Sequence, residues 1–186
     1  MSGRRGRPVR VWRAALVLAA CGLFVVSPAR LAAQGSLEYE VKAAFLLNFA
    51  KFTDWPPTAF AAPDSPIAIC ILGKDPFGHA IDELVQGEVV NGRKVVVRRM
   101  SQLPAAHTCQ VVFTQQSGKE AAAALSGLGP GVLTVGEGES FVREGGIIAF
   151  LIESRHVRFD IDQKAAEVAE LKLSSKLLAV ARTVQK

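Results

Sequence analysis

The chain has 186 residues, of which 49% are hydrophobic and 21% charged. That suits one domain with a buried core and argues against wholesale disorder. The formal net charge of +5 invites a nucleic-acid reading, but its distribution argues against one. Six arginines (Arg4, Arg5, Arg7, Arg10, Arg13 and Arg30) fall within residues 1–33, which contain no Asp or Glu, and the remainder carries 16 Lys and Arg against 17 Asp and Glu.

Residues 1–33 have the order of a secretory signal: a basic start, an uncharged apolar run over 14–29, then small residues. The run is shorter than the roughly 20 residues that a membrane span needs. Cleavage after Ala33 leaves 153 residues beginning at Gln34, and cleavage after Ala29 competes with it. Leu18-Ala19-Ala20-Cys21 has the form of a lipobox, although the apolar run continues through Leu23, Phe24, Val25 and Val26, where a lipoprotein turns polar. The expected organisation is a signal peptide over 1–33 and one domain over 34–186. In an exported chain the two later cysteines, Cys70 and Cys109, are favoured to pair. The alternative is two buried free thiols, each acting as a small hydrophobe.

Within the domain, residues 37–53 read as a helix capped by Ser36, with Phe45, Phe49 and Phe52 on a broad apolar side. Asp54-Trp55-Pro56-Pro57 stops it. The uninterrupted apolar run 67–72 predicts a strand covered on both faces. A helix near 77–85 follows, with Phe77, Ala80, Ile81 and Leu84 as its buried stripe. Asn91-Gly92 marks a tight turn between Val89-Val90 and Val95–Val97. Further strands are expected at 110–114, 132–135, 147–152 and 157–161, the last two as an antiparallel hairpin. Helices are expected at 119–125, 164–170 and 174–184. The pattern predicts an α/β fold: a layered mixed sheet with parallel central strands, a C-terminal hairpin and flanking helices.

The residues that carry chemistry are sparse. His79, His107 and His156 are scattered, and no motif has metal-ligand spacing. Gly-Leu-Gly-Pro-Gly at 127–131 precedes a strand rather than the helix that a phosphate loop requires. Asp160 and Asp162 alternate along a strand end and could face one way as an acid–base pair. A helix cap at Asp162 accounts for that residue equally. Arg93, Lys94, Arg98 and Arg99 form a local basic group that edge-strand protection explains. Trp55, beside two prolines, reads either as an exposed aromatic anchor or as cover for the first helix. Lys172, Lys176 and Arg182 give the terminal helix a mixed face.

Several segments together resemble the YfiR-like family of periplasmic proteins. They are Tyr39, Val41-Lys42-Ala43, Phe45-Leu46, Asn48–Phe52 and Trp55-Pro56; Ile67–Leu72 with Gly73 and Phe77-Gly78; Leu133-Thr134-Val135 before Phe141; Gly145-Gly146-Ile147-Ile148 and Phe150; Val157-Arg158-Phe159 and Ile161; and Leu171–Leu178 with Ala181-Arg182. The resemblance spans about residues 37–184. It implies an α/β fold, a periplasmic location, and neither catalysis nor a cofactor. It further implies a homodimeric repressor that binds the periplasmic sensor domain of an inner-membrane diguanylate cyclase and holds cyclic-di-GMP synthesis down. Cys70 and Cys109 match the family's stabilising disulfide, whereas a second cysteine pair of the family has no counterpart in 145–154. Trp55, Phe150, Arg158 and Lys176 are the candidate partner-binding residues, with no catalytic residue, metal or nucleic acid expected. Competing readings are a regulator of a membrane histidine kinase, a periplasmic small-molecule-binding module, and a hydrolase with a scattered site.

Overall fold

The structure, a computed structural model, describes residue 3 and residues 28–186 apart from 104, 117–124, 126 and 127. The expected helix at 119–125 thus lies almost wholly outside the described residues. The ten strands among the described residues are β1 (Thr53–Asp54), β2 (Ile67–Leu72), β3 (Val89–Val90), β4 (Arg93–Met100), β5 (Val111–Thr114), β6 (Leu133–Glu137), β7 (Ile148–Glu153), β8 (His156–Asp162), β9 (Lys172–Leu173) and β10 (Thr183–Gln185). The described helices are α1 (Pro28–Lys51), α2 (Ala80–Val85), α3 (Ser140–Arg143), α4 (Gln163–Val168) and α5 (Ser175–Val180), with a 3-10 turn at Pro57–Ala59.

Eight strands form one sheet in the order β10-β8-β7-β6-β5-β2-β4-β3. The run from β4 to β7 is parallel throughout, and the hairpin β7–β8 turns the chain antiparallel. From β2 the chain first adds β4 on one side and then crosses to add β5 on the other. This is the order of a doubly wound sheet. β1 and β9 make a separate two-stranded ribbon.

Alternation of side chains divides the core between the two faces. Ile67, Ile69 and Ile71 of β2, Val111 and Phe113 of β5, Leu133 and Val135 of β6, and Phe150 and Phe159 of the hairpin meet Leu46, Phe49 and Ala50 of α1. On the opposite face Ala68, Cys70 and Leu72 pack with Cys109, Val112, Leu128 and Val132. All six residues of β2 are buried, as the unbroken apolar run requires of a central strand. Cys70 and Cys109 are bonded across this second face, their Cα atoms 5.9 Å apart.

Several expectations need correction. The first helix begins at Pro28, so Ser36 lies inside it and does not cap it. It ends at Lys51, where Thr53-Asp54 pairs with β9. In α2 the buried residues are Ile81 and Val85, while Leu84 faces outward. Before it, Asp75 Oδ1 accepts from the amides of Phe77 and Gly78, so the chain turns and delays the helix to Ala80. The terminal helix stops at Val180, and Thr183–Gln185 becomes a strand parallel to β8. The free edge of β8 decides this: it offers backbone partners, and Arg182 N donates to Phe159 O, which outweighs the helical spacing of the side chains.

Two glycines, Gly146 of the family resemblance and Gly136 of β6, have a physical reason here. A Cβ on Gly146 would lie 2.1 Å from the Phe141 ring, and one on Gly136 would lie 2.3 Å from it. The ring is buried between β6 and the turn that leads into β7, and both lack a side chain at those points. Asn91 and Gly92 both take positive φ, 50° and 78°, as the expected tight turn demands.

Candidate functional site

The carboxyl ends of parallel strands are where doubly wound sheets place ligands, usually where the strand order reverses. In this chain the reversal lies between β2 and β5, and it is filled. Phe77 stacks edge-on against Phe113 at 4.8 Å, and Tyr39 meets Phe77 at 5.6 Å. Further along, over the ends of β6 and β7, a cleft of about 430 Å³ opens. Its walls come from α1 (Glu38, Lys42), the end of β6 and the loop after it (Glu137, Gly138, Glu139), β7 (Phe150–Glu153) and the C-terminal segment (Arg182).

Two ion networks border the cleft. Lys42 is only 3% exposed and donates to Glu38 at 2.5 Å and Glu137 at 2.7 Å. Helical spacing puts Glu38 one turn before Lys42, so one face of α1 supplies both charges. The Lys42 ammonium also lies 4.5 Å from the centroid of the Tyr39 ring. Burial alone would lower the Lys42 pKa; the hydrogen bonds and charges of Glu137 and Glu38 more than reverse that and hold it above its ordinary value. Burial, and then the charge of Glu137, pushes the Tyr39 phenol up as well. Gln115, just past β5, donates to Tyr39 Oη at 2.7 Å. In the second network Arg182 donates to both oxygens of the buried Asp160 and to Glu139 at 2.9 Å, which raises the guanidinium pKa further.

The four expected partner-binding residues do not form one patch. Trp55 is half-buried against the core and its Nε1 donates to Gln110 O at 3.3 Å, before the start of β5. Phe150 is 1% exposed; it stacks with Phe49 at 5.5 Å, and forms part of the cleft wall. Arg158 is exposed on β8, in register with Leu151. Lys176 is exposed on α5 at the rim of a separate apolar groove of about 250 Å³, with Phe45, Phe52 and Val180.

Other sequence candidates are accounted for locally. Asp162 caps α4 by accepting from Ala165 N at 2.8 Å, and Asp160 is held by Arg182, so the two do not act as a pair. Arg93 donates to Ser65 O, Arg98 to Thr108 O, and Arg99 to Asp75 and Asp82. These contacts secure the exposed side of β4, next to the short edge strand β3. His79, His107 and His156 are exposed on separate segments. Among the described residues no group of three or more His, Cys, Asp or Glu converges as metal ligands would.

Sequence reasoning missed the cleft, and with it Lys42, Glu137 and Arg182 as a set. Lys42 carried the one available signal, a lysine at a core-facing position of an amphipathic helix, which demands a buried counter-charge. It also missed Gln110, whose buried amide accepts from Ala68 N and donates to Ala59 O. Among the described residues, no helix is long and apolar enough to cross a membrane.

Comparison with known proteins finds a family match. A family model described as YfiR/HmsC-like covers residues 39–182, which includes every strand of the described fold except the last. A search of the curated proteins finds no match.

Proposed function

The chain belongs to the YfiR/HmsC-like family, and from that membership we propose that it is a non-catalytic periplasmic regulator of diguanylate cyclase signalling. In this reading it binds the extracytoplasmic sensor domain of an inner-membrane cyclase and favours the inactive arrangement. Only a difference in affinity between the two sensor states can shift that equilibrium. The observation that carries the reading is the family match across nearly the whole domain.

Other features support it. The Cys70–Cys109 bond suits an oxidising compartment. The hairpin β7–β8 presents Ile152 and Arg158 to solvent, and its turn residues Ser154 and Arg155 hold positive φ without being glycine. Positive φ at both positions is what a two-residue hairpin turn requires. Leu37 and Val41 of α1, Phe52 just past its end and Val180 of α5 expose apolar surface of the kind that a protein partner or a second copy covers. In this reading the leading segment is removed on export and the protein acts as a homodimer.

The test is capture of partners from an envelope extract by the exported chain, followed by their identification. Recovery of a membrane sensor with a cyclase domain is expected. Recovery of a histidine kinase would redirect the proposal to that signalling class, and recovery of no membrane protein would overturn it.

A further inference from the structure

The basic group on β4 lies along a sheet edge that β3 covers only in part. β3 pairs with Arg93 and Lys94, whereas β4 continues to Met100. On its inner side β4 pairs with β2 from Val95 to Met100. Val95 N donates outward to Glu88 O at 3.0 Å, and Met100 O accepts inward from Gly73 N at 2.8 Å. Backbone direction alternates along a strand, so Val97 and Arg99 turn their N–H and C=O groups outward, past the start of β3. Among the described residues no strand pairs with them on that side. A row of open backbone groups is a template for one more strand.

The side chains say which strand fits. Alternation puts Lys94, Val96, Arg98 and Met100 on one face of β4. Lys94 and Arg98 are exposed. Arg98 donates to a backbone oxygen, Thr108 O, and neither cation has a carboxylate partner among the described residues. Arg99, on the other face, is already held by Asp75 and Asp82. Two copies meeting edge to edge would set the same basic residues against each other, which is destabilising. The edge thus rejects a second copy and selects a strand of opposite charge.

We propose that the open edge of β4 binds an extended acidic segment of another protein by strand addition. The backbone of that segment pairs with Val97 and Arg99, and its carboxylates, at alternate positions, lie beside Lys94 and Arg98. Main-chain bonds supply the affinity and the side chains the selectivity. The claim rests on the sheet edge alone and is independent of the regulatory reading.

Titration of the purified exported chain with a capped Glu-Val-Glu-Val-Glu-Val peptide tests it. The controls are the same peptide with lysine in place of glutamate, and the glutamate peptide N-methylated at its valines, which keeps the charge and removes the ladder donors. Saturable binding of the unmethylated glutamate peptide is expected, at least tenfold tighter than that of either control and weakened by salt. At saturation the amides of Val97 and Arg99 should exchange at least tenfold more slowly. Lys94→Glu with Arg98→Glu should weaken binding at least tenfold, read at a temperature where parent and variant are both folded. No saturable binding, equal binding of the N-methylated peptide, unprotected Val97 and Arg99 amides, or full affinity in the double variant would each overturn the proposal. So would a single-stranded oligonucleotide that binds more tightly than the peptide, because the basic group would then be a phosphate-binding surface.

Discussion

At the scale of single residues, Lys42 bears the greatest electrostatic responsibility. It is buried, yet its two carboxylates are 33% and 26% exposed. Removing one partner of a fully buried pair costs roughly 3–5 kcal/mol. Lys42→Met leaves two partly solvated carboxylates facing each other, so a loss of about 1–3 kcal/mol is expected by denaturant titration. The pH dependence has a definite sign. The Lys42 and Tyr39 pKa values are both raised in the folded chain, so their contribution is complete below about pH 10, where the unfolded groups begin to titrate. It drains away as pH climbs through the raised values. Melting curves from pH 8 to 12 should fall less steeply at the alkaline end for Lys42→Met with Tyr39→Phe than for the unaltered chain, and parallel curves would contradict this. Phe141 gives a second residue-scale test. Gly146→Ala places a methyl against its ring and should cost about 1–3 kcal/mol, whereas alanine at the turn glycine Gly138, with open space around it, strains only the backbone.

At the scale of elements, the disulfide and the C-terminal strand hold the molecule's two sides. The Cys70–Cys109 bond closes a loop with a sequence separation of 39, which contains α2, β3 and β4. The chain-entropy limit for such a loop is about 4 kcal/mol. Cys70→Ala with Cys109→Ala should therefore unfold at lower denaturant than the oxidised chain, and equal midpoints would remove the bond from the account of stability. At the other edge, β10 is only three residues long and depends on Arg182. Arg182→Met should uncouple β10 from β8, seen as faster amide exchange over 183–185, and should strand the buried Asp160 without its counter-charge.

The elements also show what a sequence can and cannot disclose. β2 was legible because six consecutive apolar residues fit only a strand covered on both faces. The turn at Asn91-Gly92 was legible because local chemistry dictates it, and the β7–β8 hairpin because only a short connection joins two apolar runs, which the fold tightens to Ser154-Arg155; the Cys70–Cys109 pairing was an open choice that the fold resolves. The C-terminal strand was not legible: Leu177, Leu178, Ala181 and Val184 keep helical spacing, and only the vacant edge of β8 tells the chain to extend. The cleft was illegible for a similar reason. Glu38, Glu137, Glu153 and Arg182 are far apart in sequence, and the pairing of β6 with β7, the position of α1 beside them and the return of the C-terminal segment along β8 gather them. Phe150 was singled out for its place among residues shared with a known family, and that place reflects its burial among Phe45, Phe49 and Phe113.

At the scale of the whole molecule, the doubly wound sheet is a rigid frame whose usual ligand position is plugged by Phe77 and Tyr39. In the proposed regulatory reading, partner contact falls on the hairpin side of the sheet, where the turn at Ser154-Arg155 and exposed Arg158 lie on β7 and β8 beside the cleft. Trp55 belongs to the opposite end. If partner contact is confined to the hairpin side, Trp55→Ala lowers stability through lost packing and leaves partner affinity within about twofold once folding is matched. Arg158→Glu does the reverse, weakening capture with little change in melting temperature.

In the proposed reading, this member of the YfiR/HmsC-like family restrains a membrane cyclase by preferring one state of its sensor. The most direct measurement is the affinity of the exported chain for the purified extracytoplasmic domain of the captured cyclase, locked in its inactive and in its active arrangement. The account predicts tighter binding to the inactive form, by at least tenfold, or about 1.4 kcal/mol. Equal affinity for the two forms would contradict it, because a ligand indifferent to the two states shifts nothing between them.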